Sequence, residues 1–173
     1  MLFRSNEPQD LRGWTLTRLG DQGEQVLLTI EEGQIDAGQT FLIANYAADH
    51  ANSQLATVPQ LVNSALSLPN SKLQLSLYAG HPDDGAELVD VADDGRGIPL
   101  AGDATLKRSM ERTDLYGDGR LSSSWKTAEI AYGWDLDSQE MGTPGIIPIQ
   151  LSAPAPSQTT AIELAKWAEV KSQ

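Results

Sequence analysis

Asp114-Leu115-Tyr116-Gly117-Asp118-Gly119-Arg120-Leu121 sets acids at the first and fifth positions of a loop and glycine at the sixth. That spacing lets carboxylate and carbonyl oxygens wrap a hard cation, as calcium loops do. Tyr116 takes the third position, however, and Trp125 the twelfth, where a bidentate glutamate belongs. The same stretch therefore reads also as a solvated turn. Calcium held by Asp114 and Asp118 is the one cofactor the residues suggest. Asp83-Asp84 and Asp93-Asp94 each precede a glycine, which is turn chemistry as readily as cation chemistry. Trp125, Tyr132 and Trp134 could stack against a sugar, or fill a core.

Other chemistries find little support. The chain has no cysteine, so thiolate catalysis, disulfides and cysteine-based zinc sites are excluded. Its two histidines, His50 and His81, lie in polar, loop-like surroundings and read as surface residues. A retaining glycosidase needs two carboxylates about 5 Å apart in a cleft. Here the acids fall in predicted turns, and nothing in their spacing brings a pair together. The expectation is a protein that is not an enzyme.

The formal net charge of -12 over 173 residues repels a phosphate backbone. Lys107-Arg108 and Arg112 are the only basic grouping, and Glu111 interrupts it, so no nucleic-acid partner is expected. No run approaches the roughly 20 apolar residues of a spanning helix, which argues against membrane insertion.

The elements that must carry these residues are short and strand-like. Residues 14–19 alternate and end at Gly20-Asp21-Gln22-Gly23; residues 25–30 return. Residues 40–44 are apolar on consecutive positions, as in a strand buried on both faces. A polar loop spans 45–60. Leu73, Leu75 and Leu77 share one face of a period-two strand. A loop at 80–85 leads to a partner strand at 87–91, and residues 105–112 alternate like an edge strand. Six or seven short strands with regular turns predict an all-β sandwich or barrel. Beyond it, 147–158 reads as a proline-rich linker. Residues 159–173 then contain a capping box at Thr160-Ala161-Ile162-Glu163, with Leu164, Trp167 and Ala168 on one helical face.

Asp10-Leu11-Arg12-Gly13-Trp14-Thr15-Leu16 resembles the D-L-x-G-W-x-L signature of the lamin-tail domain family, and further landmarks follow in that family's order. Residues 37–45 are similar to its "aG..yliAn" strand. Leu66-Ser67-Leu68-Pro69-Asn70-Ser71 and the strand after it are similar to its "lsLpNsgd.l.Ly" segment. Leu88-Val89-Asp90 and Lys107-Arg108-Ser109-Met110-Glu111-Arg112 continue the match, Trp125 falls where a tryptophan often follows, and Gly142-Thr143-Pro144-Gly145 matches the closing G-T-P-G.

The resemblance implies an Ig-like β-sandwich over 6–146, with Gly13, Trp14, Leu16, Asn70, Trp125, Gly142, Pro144 and Gly145 as its structural signature. It implies a bacterial module of a secreted or cell-surface protein, in an extracellular or envelope setting, whose partner is a protein or a surface polymer. The family's two opening strands have no counterpart before Asn6-Glu7-Pro8, so the expected domain is incomplete at its N-terminus, with a short helix at its C-terminus. The functional expectation is a non-catalytic structural or protein-interaction module. The alternative is a calcium- or carbohydrate-binding accessory module of an extracellular hydrolase.

Overall fold

Ten short strands and two single 3₁₀ turns, at Pro82–Asp84 and Ser122–Ser124, make up the regular structure of the described residues. The structure is a computed structural model and describes residues 7–146; the predicted linker and terminal helix lie outside them. The fold is all-β. At its centre β2 (Thr15–Gly20), β3 (Gly23–Thr29), β7 (Leu75–Tyr78) and β8 (Leu88–Ala92) form an antiparallel sheet in the order β3-β2-β7-β8. Three two-stranded pairs surround it. β1 (Gln9–Asp10) pairs with β4 (Gln34–Ile35), and β9 (Met110–Arg112) with β10 (Trp125–Thr127), both antiparallel. β5 (Ile43–Ala44) runs parallel to β6 (Leu61–Val62).

The β2–β3 hairpin forms where turn residues interrupt alternation. Gly20 pairs with Gly23 around Asp21 and Gln22, and Gly23 adopts φ +103°, which costs a residue without a β-carbon little. Leu16 then faces Leu77 across β2–β7. Both enter a single core with Leu11, Leu28, Ile30, Ile35, Phe41, Leu75 and Ala92. Trp14, Ile43, Leu61 and Trp125 pack against it, so every strand pair contributes to, or adjoins, the same apolar cluster. On the sheet's other face Thr15 and Thr17 are also buried, which alternation alone does not predict.

Two predicted strands are shorter than expected. Of residues 40–44 only Ile43 and Ala44 pair. Phe41 is buried, while the Leu42 N–H donates to the Gln60 side chain (2.7 Å) across 18 positions, a side-chain bond in place of a ladder bond. Of residues 105–112 only the last three extend. Asp103 Oδ1 accepts from the N–H groups of Thr105 and Leu106, both at 2.9 Å, and its backbone pairs both ways with Arg108. An aspartate offering its own acceptor to the next amides favours a turn over a strand.

Candidate functional site

β9 and β10 set Arg112 directly opposite Trp125. The Arg112 side chain is only 5% exposed, and its Cζ lies 4.5 Å from the indole centroid, within cation–π range. One guanidinium nitrogen donates to the Asp90 carboxylate and to the Val91 carbonyl (2.8 Å) on β8. The other donates to the carbonyls of Gly117 (2.9 Å) and Asp114 (3.4 Å). A planar, delocalised cation can stack and donate in several directions at once, which an ammonium cannot. Burial raises the Asp90 pKa above its ordinary value, and the Arg112 charge opposes that rise without cancelling it.

The loop that resembles a calcium loop is thus wound on a protein cation. Its Asp114 and Gly117 carbonyls point at Arg112. Its carboxylates serve the loop itself: Asp114 Oδ1 accepts from the Tyr116 N–H and Asp118 Oδ1 from the Arg120 N–H, both at 2.9 Å. Gly119 is pressed onto β8 so closely that a β-carbon would collide with the Val91 carbonyl oxygen. Its own carbonyl accepts from the Trp125 indole (2.8 Å) and the Asp93 N–H (3.1 Å). Among the described residues no three His, Asp or Glu side chains converge as a metal site. Asp83-Asp84 belongs to a 3₁₀ turn capped by His81, whose Nδ1 accepts from the Asp83 N–H. His50 Nδ1 accepts from the Asn52 N–H, and its ring stacks on Tyr46. Asp93 is buried at φ +69°, with Oδ1 held by the Asp94 N–H; burial raises its pKa.

A second polar group lies on the outer face of the central sheet. The Glu24 carboxylate accepts from the Thr17 hydroxyl and from the Tyr78 hydroxyl (2.8 Å). Burial pushes Glu24 up, but hydroxyl bonds from Thr17, Tyr78 and Ser76 outweigh it and hold the group below its ordinary value. Burial, then the bond to Glu24, raises Tyr78. A third group joins the buried Glu111 to the Thr143 hydroxyl (3.2 Å) and to Lys126 (3.7 Å).

The signature residues hold backbone and core. Gly13 has φ +82°, and a β-carbon added there would meet nothing within 4 Å, so conformation and not close approach explains it. Trp14 is half-buried against the core. Gly142 packs where a β-carbon would meet Ser109 Oγ at 2.6 Å, and its carbonyl accepts from the Trp134 indole (3.0 Å). The Gly145 carbonyl accepts from Thr40 (2.6 Å), and the Pro144 carbonyl abuts Gly133. Asn70 is exposed. Of the three aromatics suggested as a sugar platform, Trp125 lies against Arg112 and Trp134 is half-buried on Gly142, while Tyr132 is exposed.

Asp90, Glu24 and Tyr78 were not singled out by sequence. A charged residue in an apolar strand, such as Asp90 in β8, is the one signal that could have pointed to a partner, though not to which residue. No protein-family model matches the chain, and no curated protein matches it.

Proposed function

We propose that the chain is a lamin-tail-like domain: an Ig-like β-sandwich acting as a non-catalytic structural or protein-binding module of a larger secreted or surface protein. The observation that carries this reading is the engagement of Arg112. Its guanidinium is committed to Asp90, Val91, Gly117 and Trp125. The best-buried cation among the described residues thus joins β8, β9 and β10 and does not face an open cleft. The single core reached from every strand pair supports two stacked layers, and the glycines and tryptophans of the signature serve turns and packing.

Calorimetry separates this from the accessory-module alternative. Titration with calcium chloride, and separately with a soluble polysaccharide, is expected to release no binding heat. Calcium heat that disappears in Asp114→Ala and Asp118→Ala would replace the proposal with a cation-binding module.

A further inference from the structure

β3 ends the central sheet, and among the described residues no strand pairs with its outer edge. It is the longest of the described strands, seven residues from Gly23 to Thr29, and Gly23, Glu24, Gln25 and Val26 are exposed. The opposite edge is covered. At β8 the Val91 carbonyl accepts from Arg112, and the next loop is bonded through the Asp93 N–H to Gly119. An edge that presents successive N–H and C=O groups is a template for an added strand.

Charge selects what that strand carries. No lysine or arginine occurs between Arg18 and Lys72, whereas Asp21, Glu24, Glu31, Glu32, Asp36 and Asp49 all do. Glu31 and Glu32, just past the end of β3, rim an open depression floored by Gly33 and Phe41. The arginine on that rim, Arg12, is already paired with Asp10 at 2.7 Å. Along β3, Glu24 points to the same face as Thr17, while Leu28 lies opposite Leu16 on the core face, so alternate side chains of an added strand meet the acidic face and those between them lie toward the core face. A second copy of this chain would set acidic edge against acidic edge, which is unfavourable.

We propose that the free edge of β3 captures an extended segment of a partner protein with lysine or arginine on alternate positions and apolar residues between them. The inference deepens the protein-binding reading and rests on it. The test uses the full chain, labelled with nitrogen-15, and a peptide of about eight residues alternating lysine and valine, long enough to span the edge. Shifts and slowed exchange are expected at the amides of Gly23–Thr29. A glutamate–valine peptide should produce neither. Glu31→Lys combined with Glu32→Lys, at exposed positions, should weaken binding about tenfold, as should raising salt from roughly 50 to 500 mM. Equal binding of both peptides, or no response at low salt, overturns the edge site. Shifts confined to other strands also overturn it while leaving the binding-module reading intact.

Discussion

Arg112 lies over the Trp125 ring, 4.5 Å from its centroid, and the two residues face each other across β9–β10. From that position one side chain reaches the β8 backbone and the loop leading into β10. Trp125 completes the arrangement by donating its indole N–H to Gly119 in the same loop. The pair therefore fixes where the loop crosses β8, and the loop in turn covers that edge of the sheet.

Arg112→Ala is expected to destabilise the protein by about 3 kcal/mol, because the half-buried Asp90 carboxylate and the Val91 and Gly117 carbonyls would lose their shared partner. Arg112→Lys should recover only part of the loss, since an ammonium cannot both stack and donate to four groups. Asp90→Leu combined with Arg112→Met should cost less than Arg112→Ala alone. Urea denaturation measures all three. A double replacement that costs as much as Arg112→Ala, or more, would contradict the coupling.

Much of this was legible in the sequence where local rules decide. The hairpin at Asp21-Gln22 followed from glycine and alternation, and the strand around Leu75 and Leu77 from period two. Residues 105–108 misled because alternation says nothing of Asp103, whose carboxylate claims the next two amides. The calcium-like loop was visible as a spacing, but what occupies its centre was not. Arg112 comes from β9 and Asp90 from β8, and a pairing across 22 positions leaves no local pattern. The burial of Thr15 and Thr17 was hidden for the same reason: their outer face is covered through Glu24 and Tyr78 on neighbouring strands.

Glu24 gives a pH signature. Its carboxyl titrates below its ordinary value of 4.5 because hydroxyl bonds outweigh burial. With the folded value depressed, its stabilisation is complete above the unfolded value and lost as pH falls through the folded one. Tyr78→Phe removes one donor. The Glu24 midpoint should then rise toward 4.5, with a loss of about 0.5 kcal/mol at neutral pH. Carbon-detected NMR titration reads the midpoint, and an unchanged value would contradict the bond's role.

Two glycines should respond differently to a single added methyl group. Gly119→Ala drives a β-carbon onto the Val91 carbonyl, so the loop must lift from β8; a loss above about 3 kcal/mol is expected. Gly13→Ala meets no atom within 4 Å and should cost only about 1–2 kcal/mol, for its left-handed backbone. Thermal melting compares them. Equal losses would mean that Gly119 is not held against β8.

The proposed two-layered sandwich is tested most directly by nuclear Overhauser contacts between the Trp125 indole and the leucine methyls of the central sheet. If the β9–β10 pair covers that sheet, Trp125 protons will show contacts to the core cluster that contains Leu16, Leu75 and Leu77. Contacts to none of these leucines, with the indole N–H exchanging freely with water, would contradict the account.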